Sequence, residues 1–160
     1  MTHDSEILAP NLQVITACAF IHHTFNDVEK VFWPKRADSK KFMPGVYELP
    51  GGHIDFGEDL VAGLRRELRE EFTMEVNVGD PFGAFVYINN VKGSHSIEVV
   101  YFAQFIGSID GIRLNPDDHS TYSWFSENEI EQIAGGTAND PEIRLMHKAF
   151  GLLRGDTLKF

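Results

Sequence analysis

The stretch GGHIDFGEDLVAGLRRELREEF, from Gly51 to Phe72, decides the fold of this chain. Apolar residues recur four positions apart from Leu60 through Leu64 and Leu68, which is the spacing of one face of an α-helix. A glycine pair opens the stretch directly after a proline, as at the end of a strand. The pattern predicts a helix over residues 60–72 that follows a glycine turn.

Three glutamates of this helix, Glu67, Glu70 and Glu71, project from the same side at about 100° per residue. Like charges three and four residues apart repel each other, and a solvated face usually mixes its charge signs. Glu71 also projects almost onto the apolar stripe, where an unpaired carboxylate costs several kcal/mol. Arg66 and Glu70 form the one evident compensating pair. A solvated acidic face and a bound divalent cation both fit this pattern, but only the cation resolves the repulsion and the burial together.

The glycines near these carboxylates help to distinguish a solvated acidic face from a bound divalent cation. Gly51 and Gly52 lack side chains where a strand ends, which would let a backbone carbonyl approach an ion or a phosphate. Gly63 falls between two acidic positions on the helical wheel. It either leaves room for a bound ion or serves only in packing, at a cost of about 1 kcal/mol in helix propensity.

Composition limits the partners of the chain. Its 160 residues predict one domain over 1–160 that folds alone or as a small oligomer such as a homodimer. A formal charge of −10 disfavours binding to a nucleic acid polymer or an anionic membrane, so an anionic substrate would need cations. The single Cys18 lies in an apolar run and is predicted to be a core residue in a reducing compartment. Because the sequence shows no signal peptide or membrane span, we expect a cytoplasmic protein.

The rest of the chain combines strand patterns with two further helices. Strands are expected at 13–22, 29–34, 45–49, 74–78, 82–89, 95–106 and 122–125. Helices are expected at about 126–133 and 141–153, with a loop at 135–140 between them. A turn at 89–93 would close a hairpin, and Ser126 with Glu129 has the capping-box pattern. This order predicts an α/β sandwich around a mixed sheet.

The opening stretch resembles the Nudix box, which reads glycine, five residues, glutamate, seven residues, and then R-E-apolar-x-E-E-x-G-apolar. The match runs from Gly52 through Glu58 to Met74, and the preceding VYELPG also looks like the family. Thr73 departs from the pattern, since the family has glycine there. That glycine ends the helix, so we expect a helix end of different shape. We expect no loss of activity, because the position supplies no ligand.

This resemblance implies a Nudix-type α/β/α sandwich and hydrolysis of a nucleoside diphosphate linked to another group. The implied cofactor is Mg²⁺ or Mn²⁺, and we expect the highest activity at mildly alkaline pH. Carried over, the metal ligands are the carbonyl of Gly51 and the carboxylates of Glu67, Glu70 and Glu71. Arg66 becomes the residue that orients the glutamates, and Glu58 a structural residue near the helix start.

The general base is left open, because family members take it from different places, often a loop before the last strand. Here that loop is NPDDHSTYSW, with Asp117, Asp118 and His119. His119 resembles the base of the family branch that hydrolyses GDP-mannose, although that branch departs from the usual box. A surface histidine is the alternative interpretation. Glu98, in a strand, and Glu67 itself are further candidates, and Glu98 could face either the site or solvent.

Three functions stay open on the sequence alone. The leading hypothesis is a pyrophosphohydrolase acting on a nucleoside triphosphate or a similar small nucleotide. The second is the same chemistry on a nucleotide sugar, GDP-mannose or ADP-ribose. The third is a Nudix-fold module that binds a nucleotide without hydrolysis, which the intact acidic set disfavours. Substrate-binding residues are expected at Gly52 and in two loops, namely KRADSKKF, which contains Arg36, and residues 89–96.

Overall fold

A computed structural model describes residues 6–133 and 140–157. Within them the chain forms six strands, three α-helices and a short 3-10 helix at Ile109–Gly111. The strands are β1 (Gln13–Phe25), β2 (Val28–Arg36), β3 (Gly51–His53), β4 (Val76–Asn89), β5 (Ser94–Phe105) and β6 (His119–Phe125). The α-helices are α1 (Leu60–Phe72), α2 (Glu127–Ile133) and α3 (Pro141–Leu153). None of the described helices combines the length and the apolar character needed to cross a membrane.

Strand β1 lies at the centre of a mixed sheet with the strand order β4-β5-β1-β2-β6. It runs parallel to β5 and antiparallel to β2, while β4 and β6 add antiparallel pairs on either side. The first half of β1 pairs with β3 and its second half pairs with β2. This pairing places Gly51 beside Cys18 and Gly52 beside Ala17.

Alternate residues of β1 build two cores, because successive side chains of a strand point to opposite faces. Ala17, Ala19 and Ile21 pack with the apolar stripe of α1. Cys18 and Phe20 pack on the other face with apolar residues of α2 and α3, and Cys18 is fully buried, as predicted. Helices therefore cover both faces of the sheet, and the predicted α/β/α sandwich is confirmed.

The structure corrects several strand predictions. Residues 45–49 form no strand; Tyr47 makes only an isolated bridge to Lys35. The strands predicted at 74–78 and 82–89 are one strand, β4, whose register against β5 shifts around Pro81, a residue without a backbone N–H. The sequence pattern does not reveal β3, because two of its three residues are glycine. The loop predicted at 135–140 lies, apart from its last residue, outside the described residues.

Helix α1 begins and ends at the predicted residues. Its N-cap is Asp59, whose carboxylate accepts hydrogen bonds from the backbone N–H groups of Val61 and Ala62, both at 3.0 Å. At the other end Thr73 takes the left-handed conformation, with φ 58° and ψ 32°, and its N–H donates to the carbonyl of Arg69. Since this is the conformation that glycine favours, the expectation of a differently shaped helix end is wrong. The β-branched Thr73 instead holds backbone strain.

Replacing Thr73 by glycine removes this strain, so we expect the free energy of unfolding to rise by up to about 1 kcal/mol. For a chain of this size the melting temperature should rise by about 2–4 °C in a calorimetric scan. Thr73→Ala is the matched control, because it keeps a Cβ in the left-handed region and should gain little. A lower melting temperature for Thr73→Gly would show that the threonine makes contacts worth more than the strain.

Candidate active site

A cavity of about 970 Å³ lies between the loop at 37–50, the glycine pair of β3 and the start of α3. Seven of the predicted or candidate site residues line it: Arg36, Gly51, Gly52, Glu71, Glu98, Asp118 and His119. Three others, Arg66, Glu67 and Glu70, lie on α1 outside the cavity lining. The structure thus brings the glycine pair, one predicted metal ligand (Glu71) and three of the candidate bases together at one cavity.

Arg66 joins α1 to the segment that leads into it. Its guanidinium donates to both carboxylate oxygens of Glu58, at 2.8 and 3.0 Å, and to the carbonyl of His53 at 2.9 Å. It also donates to Glu67 at 2.7 Å. The hydrogen bonds from Arg66 lower the pKa of Glu58 to about 2, and those to Glu58 raise the pKa of Arg66. Arg66 therefore fixes the position of Glu67 against the end of β3.

The carboxylate of Glu67 occupies the space that a side chain at position 52 would fill. A Cβ added to Gly52 would lie 2.4 Å from a carboxylate oxygen of Glu67 and 2.6 Å from its carboxyl carbon. The Glu67 side chain is nearly buried as a result. Glycine at this position lets the backbone of β3 and a buried carboxylate approach each other. Contact between Gly52 and a substrate remains a prediction.

Gly51 is a glycine for a different reason. Its φ is +149°, and an added Cβ would lie 2.1 Å from the carbonyl oxygen of Ala17 and 2.6 Å from the Cα of Cys18. The missing side chain therefore makes room for the backbone of β1. The role of the Gly51 carbonyl as a metal ligand stays a prediction.

Glu71 carries a buried carboxylate with an unused oxygen. The residue is 5% exposed, and its Oε2 has no hydrogen-bond partner in the described part of the chain. Burial raises the pKa of Glu71, and the carboxylates of Glu48, Glu67 and Asp118 raise it further. The helical projection that placed Glu71 at the edge of the apolar stripe is thus confirmed.

Glu70 and Gly63 lie apart from this buried pair of glutamates. The Glu70 side chain is 59% exposed and lies 3.6 Å from Arg66, the pairing predicted from the sequence. A Cβ added to Gly63 would lie 2.6 Å from Ile54 and 2.8 Å from Glu58, so Gly63 is a packing glycine. Its interpretation as room for a bound ion is wrong. Glu70 as a metal ligand remains a prediction.

The oxygen donors of this region fit a hard divalent ion. Among residues 6–133 and 140–157, no three His, Cys, Asp or Glu side chains are arranged to enclose a metal. Mg²⁺, however, binds few protein oxygens and keeps several waters. The unused oxygen of Glu71 offers it lone pairs. Glu67 is close enough to act electrostatically on Glu71, and Gly51 lines the same cavity as Glu71. A cation here would also offset the repulsion that raises the pKa of Glu71.

A buried salt bridge joins the loop at 37–50 to the loop before β6. Lys40 Nζ lies 2.7 Å from an oxygen of Asp118, and both side chains are nearly inaccessible to solvent. The backbone N–H of Ala37 also donates to the carbonyl of Asp118. Asp117 is exposed and lies outside the cavity lining. Of these two base candidates, only Asp118 stands at the cavity.

His119 is buried, so its interpretation as a surface histidine is wrong. Its ring stacks on Phe72 with 5.1 Å between centroids, and its Nε2 lies 3.0 Å from the carboxylate of Glu48. Arg36 donates to both oxygens of that carboxylate, at 3.1 and 3.2 Å. Burial raises the pKa of Glu48, but His119 and Arg36 outweigh it and lower the pKa below its usual value. One guanidinium nitrogen of Arg36 has no partner among the described residues.

Two more carboxyl groups, Glu98 and Glu142, line the cavity. Burial raises the pKa of Glu98 to about 7, against a hydrogen bond from Cys18 that lowers it. Burial and then the charges of Glu98 and Glu48 raise the pKa of Glu142, which accepts a hydrogen bond from the N–H of Leu49 at 3.0 Å. Glu98 thus faces the cavity, one of the two orientations that the sequence left open.

Sequence reasoning misses Glu48, Glu142 and Lys40. Glu48 stands in the segment VYELPG, whose resemblance to the family is the signal that could have revealed it. Glu142 follows a proline at a helix start, where an acid is ordinarily explained by the helix dipole. Lys40 meets Asp118 across 78 residues of sequence, and no local pattern predicts such a contact.

Comparison with known proteins places the chain in a family. The NUDIX domain profile matches residues 15–145, so the chain belongs to the Nudix family, which generally uses divalent metal ions. The chain is 30% identical over 104 residues to the NAD-capped RNA hydrolase NudC of Pseudomonas putida (strain GB-1), across 62% of this chain and 34% of NudC. It is 32% identical over 94 residues to the putative 8-oxo-dGTP diphosphatase 2 of Mycobacterium tuberculosis (strain CDC 1551 / Oshkosh), across 57% of this chain and 61% of that protein. The match spans only about a third of NudC.

Solved structures share the fold. A MutT protein from Methanosarcina mazei Go1 superposes with a TM-score of 0.72 at 21% identity, across 91% of this chain and 98% of that one. The C. elegans Ap4A hydrolase in a binary complex also gives a TM-score of 0.72, at 20% identity, across 89% of this chain and 99% of that one. At these identities the likeness shows the fold alone.

The buried Glu71 predicts a gain in stability when its charge is removed. In chelator, Glu71→Gln should raise the free energy of unfolding by about 1 kcal/mol or more, because glutamine avoids the cost of burying a titratable carboxyl group that has an unused oxygen. The unfolded chain releases the Glu71 proton at lower pH than the folded chain does, since the folded pKa is raised. Wild-type stability is therefore lost as the pH rises past the usual glutamate value, and the mutant's advantage should be larger near about pH 8 than near about pH 5.

Glu70→Gln is the matched control, because its carboxylate is exposed on the same helix. Its effect on the free energy of unfolding should stay within about 0.5 kcal/mol. Added Mn²⁺ should raise the wild-type melting temperature and raise that of Glu71→Gln much less. Equal melting temperatures for wild type and Glu71→Gln at every pH would contradict the raised pKa of Glu71 in the folded chain.

Proposed function

We propose that this chain is a metal-dependent hydrolase of phosphorus-containing anhydrides, and that it cleaves a nucleoside triphosphate or a similar small nucleotide. The observation that carries the proposal is the buried pair Glu67 and Glu71, held next to the glycine pair at a cavity large enough for a nucleotide. A ligand pocket for a small molecule typically measures about 300–1,000 Å³. We propose further that residues 1–160 act as one domain.

The proposed metal site uses the oxygens described above. Glu71, Glu67 and the carbonyl of Gly51 would hold Mg²⁺ or Mn²⁺, and Glu70 would join from the exposed side of α1. Arg66 keeps Glu67 in position through its hydrogen bond of 2.7 Å. When bound, the ion neutralises pyrophosphate oxygens and lowers the pKa of the attacking water.

The proposed substrate is an anion, although the chain has a net charge of −10. Two cationic side chains of the cavity lining account for its binding. Arg36 lines the cavity with one unpartnered guanidinium nitrogen within the described residues, and that nitrogen can donate to a phosphate oxygen. Lys40 adds a second positive charge to the lining, paired with Asp118. Local positive charges of this kind focus an anionic substrate on the site despite the net charge.

The proton of the attacking water requires an acceptor at the cavity. Asp118 and Glu98 line it, and Glu67 lies directly against Gly52. His119 fits less well, because Glu48 engages its Nε2 and its ring lies against Phe72. This arrangement favours a carboxylate as the base over the histidine of the nucleotide-sugar hypothesis.

Substrates of other classes should be assayed beside the nucleoside triphosphates. NudC is named for NAD-capped RNA, so NAD and a capped RNA belong in the substrate panel. We favour small nucleotides because the strongly negative chain would repel a long polyanion. A binding module without hydrolysis would have no need to bury the carboxyl group of Glu71 beside other acidic side chains.

Activity should depend on a divalent ion and on the buried glutamates. Excess chelator should abolish turnover of a nucleoside triphosphate, and Mg²⁺ or Mn²⁺ should restore it, with the highest rate at mildly alkaline pH. Glu67→Gln and Glu71→Gln should each lower kcat by at least about 10²-fold, the scale for loss of one important electrostatic group. Glu75→Gln, at an exposed position just past α1, is the control and should keep the wild-type rate. Undiminished turnover in chelator would overturn the metal requirement.

His119 separates the two substrate hypotheses. His119→Gln keeps a donor for Glu48, so the triphosphate rate should stay within about tenfold of wild type, with an unchanged pH profile. Rates measured from about pH 5.5 to about 9 on triphosphates, GDP-mannose and ADP-ribose give the comparison. A preference for either nucleotide sugar, lost in His119→Gln, would establish the rival hypothesis instead. The melting temperature of the variant shows whether a lost rate reflects misfolding.

A further inference from the structure

The cavity has a second chemical region, here called the base end, formed by Trp33, Tyr47, Glu98 and Glu142. Trp33 and Tyr47 lie with their ring centroids 5.4 Å apart and their planes tilted by 31°. Both aromatic residues pack in or against the core that lies under α2 and α3. The base end therefore lies on the face of the sheet opposite α1, the helix that carries Glu67 and Glu71.

Trp33 supplies an unused hydrogen-bond donor. The residue is 2% exposed, and its indole Nε1–H has no partner among the described residues. A buried indole N–H normally finds an acceptor, and leaving it unpaired destabilises the folded chain. A residue that lines a cavity and keeps an unpaired donor is suited to a ligand that brings an acceptor.

Glu98 and Glu142 supply acceptors. Neither forms a salt bridge within the described part of the chain, in contrast to Glu48, which Arg36 and His119 hold. Glu142 accepts one backbone N–H, from Leu49, and Glu98 accepts a hydrogen bond from the weak S–H donor of Cys18. Because these carboxyl oxygens accept so few hydrogen bonds from the protein, N–H groups of a bound ligand would stabilise them.

The two regions are separated by Glu48. Its carboxylate lies 3.0 Å from Nε2 of His119, whose ring stacks on Phe72 at the end of α1, and the N–H of the next residue, Leu49, donates to Glu142 on the other side. A nucleotide whose phosphates lie at Glu71 would thus direct its base past Glu48 toward Trp33. Aromatic rings at that point provide a stacking surface for a planar base.

We propose, given the nucleotide hydrolysis proposed above, that the base end selects a guanine-type base. Among the common bases, guanine alone offers a carbonyl oxygen beside two neighbouring N–H donors on its pairing edge. Trp33 donates to the carbonyl oxygen, and Glu98 accepts from the ring N–H and the amino group. Adenine offers only one donor beside an acceptor, and cytosine only one donor beside two acceptors, so both leave the carboxylate incompletely paired. An oxidised guanine with the same edge belongs to the same class.

The test measures kcat/KM of the wild-type chain with Mg²⁺ on dGTP, 8-oxo-dGTP, dITP and dATP. dITP lacks only the amino group, so dGTP or 8-oxo-dGTP should exceed it by about tenfold or more, the scale of one hydrogen bond to a carboxylate. dATP should be poorer still. Comparable values of kcat/KM for dGTP and dATP would overturn the proposal.

The variant Glu98→Gln tests base selection more sharply than the wild-type substrate series does. A glutamine pairs with adenine and a carboxylate does not, so the ratio of dGTP to dATP activity should fall by about 30-fold or more. Trp33→Phe keeps a ring but removes the donor, so it should lower dGTP and dITP activity by the same factor. Glu75→Gln is the matched control and should leave the dGTP to dATP ratio unchanged. An equal loss on all four substrates in Glu98→Gln would assign Glu98 to the hydrolytic step and overturn its role in base selection.

A failure of the hydrolytic function is distinguishable from a failure of base selection. If the wild type hydrolyses none of the four nucleotides, the proposed activity is wrong, and calorimetric titration with dGMP and dAMP then decides the base end. Tighter binding of dGMP, weakened by Glu98→Gln, supports guanine selection in a binding protein. Equal affinity for the two monophosphates, or no binding of either, overturns it.

Discussion

The site depends on one arginine that holds a helix against a strand. Arg66 donates to Glu58, to Glu67 and to the carbonyl of His53, so a single guanidinium connects α1 with the end of β3. The planar fork of an arginine suits such multiple pairing, which a lysine could not reproduce. With Arg66 in this position, Glu67 fills the space beside Gly52. The position of this carboxylate therefore requires a glycine at position 52.

Pairs of opposite charge determine the electrostatics of the cavity around that contact. Glu48 is neutralised by Arg36 and His119, and Lys40 is paired with Asp118. Glu71 is left with an unused oxygen, and a divalent ion bound there would offset the repulsion from the neighbouring carboxylates. A bound ion, together with Arg36 and Lys40, would act locally and let a chain of charge −10 hold the anionic substrate that we propose.

The local features of this site follow from the sequence, whereas its distant contacts do not. Leu64 and Leu68 mark the helix through their spacing, and the same periodicity places Glu71 at the buried edge. The pairing of Lys40 with Asp118 and the approach of Leu49 to Glu142 join segments 78 and 93 residues apart, and no local pattern specifies them. Gly63 shows the limit of a helical wheel, because the wheel does not contain the Ile54 side chain that the glycine accommodates.

We propose that the buried carboxylates of α1 and the end of β3 form a divalent metal site. Its most direct test is a crystal structure of the wild-type chain grown with Mn²⁺, with anomalous diffraction recorded to locate the ion. We predict a single-ion or paired-ion peak in contact with a carboxylate oxygen of Glu71, together with Glu67 or the Gly51 carbonyl. Anomalous density elsewhere on the chain, with the Glu71 carboxylate contacting no manganese at saturating Mn²⁺, would contradict the account.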